Sequence, residues 1–239
     1  SDLTLINVGA SLGPYLALRV GGDNINTALS LTSSYVLLFP LLLLFVKIEQ
    51  VKPEAKTNLV DGIKHLLKNK QFLAFSAAGI ISYFIYSLQD LILAYIIQKR
   101  NLPLYVFTQT YALNGIIIVL LQMPLISFLR KHEMHKVIMV GFSLFFASIV
   151  IYTVAGTIPY LYYCGEIIFS IAEILTLSIF SIYIDKYSPE SEKVFYFSIL
   201  SLFNLGRCLG VLGQSNIAHF LGINLTLIIV ALFSLVGLF

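Results

Sequence analysis

The chain has 239 residues, 58% hydrophobic and 11% charged, with a formal net charge of +3 and a mean hydropathy of +0.90. Soluble domains carry about 25% charged and 45–50% apolar residues. A soluble enzyme, a secreted disulfide scaffold and a disordered chain are therefore excluded, and the small positive charge does not point to nucleic acid. What remains is an all-α polytopic membrane protein, in which each helix needs about 20 apolar residues to cross the hydrocarbon.

Hydropathy and breakers predict eight spans: A (3–20), B (27–46), C (71–97), D (104–129), E (136–155), F (159–184), G (194–217) and H (221–239). Gly21-Gly22-Asp23-Asn24 separates A from B, and Lys99-Arg100-Asn101-Leu102-Pro103 separates C from D. Gly156-Thr157-Ile158-Pro159 lies between E and F, and Ser188-Pro189-Glu190 follows F. The apolar runs are continuous rather than alternating, which disfavours a β-barrel. Span A has no basic leader and is read as a helix rather than a cleaved signal. Cys164 and Cys208 stand in apolar stretches without a paired motif.

Lysine and arginine set the orientation. With the amino end inside, the inner loops hold Lys47, Lys52, Lys56, Lys64, Lys68, Lys70, Arg130, Lys131, Lys136, Lys186 and Lys193, whereas the outer loops hold only Arg19, Lys99 and Arg100. Removing one span would scramble this bias. Within the long inner loop, Leu59, Ile63, Leu66 and Leu67 recur at helical spacing among charges. They form either an amphipathic helix on the membrane surface or an extension of span C.

An internal repeat sets a period. Asn7, Gly9, Leu12 and Gly13 in A match Asn204, Gly206, Leu209 and Gly210 in G. A and G are six spans apart and point the same way, as in transporters built from two parallel six-helix halves. Spans C to H then form one complete carboxy-terminal repeat (71–239). A and B (1–47) are the last two helices of the amino-terminal repeat, and 48–70 is a cytoplasmic linker. A twelve-span protein is implied, its first four helices outside this chain and supplied by a longer polypeptide or a partner chain. Gly9 and Gly13, and Gly206, Gly210 and Gly213, are spaced to let helices approach closely, and Pro14 permits a bend.

Gly9-x-x-x-Gly13-Pro14 resembles the fifth-helix motif of the major facilitator superfamily, especially of bacterial drug–proton antiporters. Ala17 and Leu18 stand where that motif has two glycines. Tyr86-Ser87-Leu88-Gln89-Asp90 with Leu102-Pro103-Leu104-Tyr105 is similar to the seventh helix and following loop of such carriers. Leu113-Asn114-Gly115 with Leu121-Gln122-x-Pro124 is similar to their eighth helix. Ala172-Glu173 and Ser188-Pro189-Glu190 resemble the tenth helix and its cytoplasmic turn. Loop 127–136, with Arg130 and Lys131, sits where a basic gating motif recurs, without its usual glycine and aspartate.

Ionisable groups within a span default to functional candidates. Here they are Asp90, Glu166, Glu173 and Arg207. Glu166 and Glu173 are seven apart on one face of F. Glu166 is placed nearer the outer surface, as a solvated vestibule charge. Matched depth predicts that Glu173 meets Arg207 across a central cavity. The pair either gates proton loading, since desolvation favours the neutral acid and a nearby guanidinium the carboxylate, or is a static pair that fixes F on G. Gln89, Thr110, Asn114, Asn204 and Gln214 are the neutral polar candidates for lining that cavity, with interhelical hydrogen bonding the alternative. The resemblance implies that C, D, F and G line it. E is almost wholly apolar and reads as lipid-facing.

His132-Glu133-Met134-His135 lacks further ligands, so no metal is expected. Asn224-Leu225-Thr226 starts inside H, where a glycan has no access. No nucleophile–base constellation or phosphate loop indicates an enzyme or a cofactor. The expected function is that of a secondary transporter moving a small organic solute by alternating access in a bacterial inner membrane. Proton-coupled efflux is the leading reading. Proton-coupled uptake of a peptide, sugar or amino acid, or a non-transporting remnant or partner subunit, are the alternatives.

Overall fold

The computed structural model describes Thr27 and residues 68–188 and 193–237. Spans A and B, the motif Gly9, Gly13 and Pro14, and nearly all of the 48–70 linker lie outside the described residues. Every regular element described is helical. In chain order they are α1 (Lys70–Tyr86), a 3-10 turn (Ser87–Gln89), α2 (Ile92–Lys99), α3 (Leu104–Leu129), α4 (Met134–Val154), α5 (Pro159–Glu173), a π-helical segment (Ile174–Ser178), α6 (Ile179–Tyr187), α7 (Lys193–Phe220) and α8 (Ile223–Val236).

Five stretches among the described residues are long and apolar enough to cross a bilayer: Phe72–Lys99, Leu104–Leu129, Met134–Val154, Pro159–Lys186 and Tyr196–Phe220. They correspond to spans C to G. The sixth, α8, has 14 residues and rises about 21 Å at 1.5 Å per residue, shorter than span H was predicted to be.

Local chemistry sets the boundaries. Asn69 caps α1, its Oδ1 accepting from Phe72 N at 3.1 Å. Pro159 opens α5 at a position where its missing N–H costs nothing. Two residues, Leu221 and Gly222, join α7 to α8, and Gly222 has φ of 90°, a conformation suited to glycine.

α7 lies along α1, and α5 packs on both α3 and α4, with α8 covering α4. The α1–α7 contact is parallel: Gly206 faces the backbone of Ile80, and Gly210 faces Phe84 and Ser87 one turn further on. Phe75, Phe180, Tyr183 and Phe203 fill the Lys70 end of this contact, with Phe75 stacked on Tyr183 at 4.0 Å. The opposite face of α7 presents Leu202, Leu205, Leu209 and Leu212, an apolar stripe at helical spacing.

The reading of span E as lipid-facing needs correction. Only one side of α4 is exposed, with Met139, Val140, Val150 and Val154. The other side buries Phe142, Phe145, Ile149 and Tyr152 completely. Hydropathy cannot separate a helix buried in protein from one bathed in lipid, because both are apolar all round.

Arg100 secures the end of α4. Its guanidinium donates to the carbonyls of Tyr152 (2.7 Å) and Thr153 (3.2 Å) and to Tyr162 Oη (2.8 Å). These carbonyls lie in the last turn of α4, where intrahelical donors run out. One charged fork thus ties the turn after α2 to α4 and α5.

Candidate functional site

Among the described residues, the two spans carrying the candidate carboxyls, C and F, are the two whose helices are interrupted. In C, the 3-10 turn Ser87–Gln89 and Leu91, at φ −140° and ψ −40°, divide α1 from α2. The carbonyl of Phe84 beside the break accepts from Ser87 Oγ at 2.7 Å and from Gln214 Nε2 at 2.7 Å. In F, the π segment begins immediately after Glu173. There Thr176 Oγ1 donates to the carbonyls of Ala172 (2.8 Å) and Glu173 (3.3 Å). A polar side chain thus supports each irregularity, which is how helix breaks persist where no water can substitute. With each six-helix half read as two triplets, C and F head their respective triplets. Interrupted helices at corresponding positions mark the binding region in such folds.

Around these breaks a column of polar side chains is closed off from the surface. Tyr152 Oη donates to Glu166 Oε2 at 2.6 Å, and Gln89 Nε2 donates to Glu166 Oε1. Ser170 Oγ bonds the Glu166 carbonyl at 2.8 Å. Asn114 Nδ2 bridges Ser170 Oγ (3.0 Å) and Glu173 Oε2 (2.9 Å). Glu166 is 0% and Glu173 4% exposed, so neither is a vestibule charge. Glu166 sits at the level of the 3-10 turn, and Glu173 lies two helical turns further along α5.

Arg207 does not pair with Glu173. Its Nε donates to Asp90 Oδ2 at 2.6 Å and its Nη2 to Asp90 Oδ1, with the guanidinium 5.4 Å from the centroid of the Tyr86 ring. The prediction failed because depth counting treats C as one continuous helix. The break after Gln89 turns Asp90 towards α7, whereas Asn114 and Ser170 occupy the surroundings of Glu173.

The structure thus joins Gln89, Asn114, Glu166 and Glu173 in one network, and Asp90 with Arg207 beside it. Gln214 is buried and supports the break through Phe84 and Ser87. Thr110 is buried, but its hydroxyl bonds back to Val106 O within its own helix. Asn204 is exposed. A cavity of about 570 Å³ lies between α2 and the end of α7, beside Tyr95, Gln98, Ser215 and His219, and none of the column's side chains lines it. Tyr152 completes the column without having been singled out. Ser148 and Tyr152, one turn apart on a largely apolar helix, were the available signal.

Among the remaining motifs, His135 and Lys136 both approach Glu133 Oε2, at 3.4 and 2.9 Å, at the exposed start of α4. The Lys136 hydrogen bond holds the Glu133 carboxyl below its usual range. No metal-binding cluster occurs among the described residues.

The Asp90–Arg207 pair is only partly shielded, with side chains 18% and 42% exposed. Breaking it should cost less than the 3–5 kcal/mol of a fully buried pair but more than a surface pair, about 2 kcal/mol. Asp90→Asn and Arg207→Gln are each expected to lose about this much in denaturant unfolding, and the double variant to lose about as much as either single one. Strict additivity would show that the two side chains do not act as a unit.

The family model described as Major Facilitator Superfamily matches residues 3–211. A search of curated proteins finds no significant match. The family match spans most of the chain, and the apolar helices, paired interruptions and membrane-buried carboxyls agree with it: the chain belongs to the Major Facilitator Superfamily of membrane transporters.

Proposed function

We propose that the chain is the carboxy-terminal part of a proton-coupled carrier that expels amphipathic organic compounds from a bacterial cell across the inner membrane. One observation carries this reading. The arginine in the described spans is engaged by Asp90, while Glu166 and Glu173 contact only neutral partners. Two buried carboxyls without a directly bonded countercharge are stable when they take up protons, or when a cationic solute supplies the charge. Competition between protons and a cation for such carboxyls is the elementary requirement of antiport. The six-helix unit 71–239 would rock against the amino-terminal helices, of which 1–47 contributes two, with the 48–70 linker and the lysine-rich loops on the cytoplasmic side. The likeness of Gly9-x-x-x-Gly13-Pro14 to an antiporter motif favours exchange over symport.

The test is transport by the complete gene product in proteoliposomes, with a fluorescent lipophilic cation and an imposed pH gradient. An acidic lumen is expected to drive dye inward, and a protonophore to abolish the movement. Dye movement indifferent to the gradient would remove proton coupling. Solute movement down the proton gradient, in the same direction as protons, would replace efflux with nutrient uptake.

A further inference from the structure

The contact between Gln89 and Glu166 has a polarity that depends on protonation. Glu166 Oε2 meets Tyr152 Oη and its Oε1 meets Gln89 Nε2, an arrangement that a carboxylate satisfies by accepting at both oxygens. Gln89 is 1% exposed, and its Oε1 has no hydrogen-bond partner. A buried unpaired acceptor is costly. Placing a proton on Glu166 makes one of the two contacts donor-to-donor. Tyr152 could adapt only by finding another acceptor for its phenolic hydrogen. Gln89 already holds a spare one, and rotating its amide by half a turn presents Oε1 to the new O–H.

We propose that Gln89 is a positioning residue for proton loading, its amide donating to the Glu166 carboxylate and turning over to accept from the Glu166 carboxylic acid. The inference rests on the reading of Glu166 as a proton carrier. Its consequence is mechanical, because Gln89 is the last residue of the 3-10 turn. The next residue is Asp90, which holds Arg207. Two residues earlier, Ser87 packs on Gly210 and accepts from Gln214 at 3.1 Å. Each state of Glu166 is thereby passed to the junction of α1, α2 and α7. The other ionisable groups around this carboxyl are Tyr152 from α4, Tyr111 from α3, Glu173 on α5 itself and the Asp90–Arg207 pair beyond the turn.

The experiment is infrared difference spectroscopy between acidic and alkaline pH, on the complete protein in lipid with isotope-labelled glutamine. Glu166→Gln assigns the Glu166 carboxyl band. The expected result is a glutamine amide band that changes in step with that carboxyl band and is lost in Gln89→Leu. In Gln89→Leu the band of protonated Glu166 should also move to higher frequency, as for an acid without an acceptor. Gln89→Met, closer in shape, serves if the leucine variant does not fold, and should give the same shift. An unmoved carboxyl band in either variant overturns the role of Gln89 while leaving Glu166 a proton carrier. A wild-type spectrum without any titrating Glu166 band overturns both. Transport adds a second readout: gradient-driven movement should fall about fivefold or more, as expected for a lost coupling free energy.

Discussion

Glu173→Gln should uncouple transport from the proton gradient while leaving the protein folded. The contact that Glu173 makes explains both halves of this expectation. Asn114 Nδ2 donates to Glu173 Oε2, and a glutamine can keep that bond through its own carbonyl oxygen. What it cannot do is bind and release a proton. Gradient-driven accumulation is therefore expected to fall by about 5- to 150-fold, the span of ordinary coupling free energies between two sites, with exchange in the absence of a gradient preserved. Glu166→Gln is a less clean probe. Two donors, from Tyr152 and Gln89, converge on its two oxygens, and an amide must turn its NH₂ group towards one of them. That variant should lose about 1–3 kcal/mol of stability in addition to any coupling. Parallel measurement of unfolding and of driven against undriven transport separates the cases. Full driven transport by Glu173→Gln would remove this carboxyl from the coupling machinery.

The contrast between the two glutamates marks how far the sequence could be read. Continuous apolar runs and punctuating turns were enough to find the stretches now seen from Phe72 to Phe220, because bilayer thickness imposes one length on every span. Ionisable residues were legible for the same reason: Asp90, Glu166, Glu173 and Arg207 stand out against an apolar background. Their pairing was not. Helical geometry predicts side-chain depth only while the helix is regular, and the two interruptions fall beside these residues. Nothing in Ser87-Leu88-Gln89 or in Ile174-Leu175-Thr176 announces a 3-10 turn or a π segment, since neither contains glycine or proline. The first break is stabilised by a tertiary partner, Gln214, and the second by the hydroxyl of Thr176 within it. Tyr152 was hidden differently. It sits on a helix whose mean hydropathy says lipid, and only its packing against α5 shows that its hydroxyl meets Glu166.

Gly206→Ala and Gly213→Ala should behave as opposites although both change one residue type on one face of α7. A Cβ at position 206 would lie 2.0 Å from the carbonyl oxygen of Ile80, a backbone atom that moves only if α1 moves with it. A Cβ at position 210 meets Ser87 Oγ at 2.0 Å and Phe84 O at 2.7 Å, which disturbs the 3-10 turn directly. At position 213 the nearest atom is the Phe84 ring at 3.9 Å, ordinary contact. None of the three has a positive φ, so the requirement is for space rather than backbone freedom. Overpacking commonly costs about 1–3 kcal/mol, and more where backbone blocks relief. Gly206→Ala is placed at or above about 3 kcal/mol on those grounds. Gly213→Ala should fall within about 0.5 kcal/mol of the parent, because the better helix propensity of alanine offsets small losses. Denaturant unfolding in lipid–detergent micelles checks both, and cross-linking between engineered cysteines on α1 and α7 should weaken only for Gly206→Ala. Equal stability of the two variants would mean that α1 and α7 do not approach as closely as the glycine face allows. The link from the Ser87–Gln89 turn to Arg207 would then lose its rigid support.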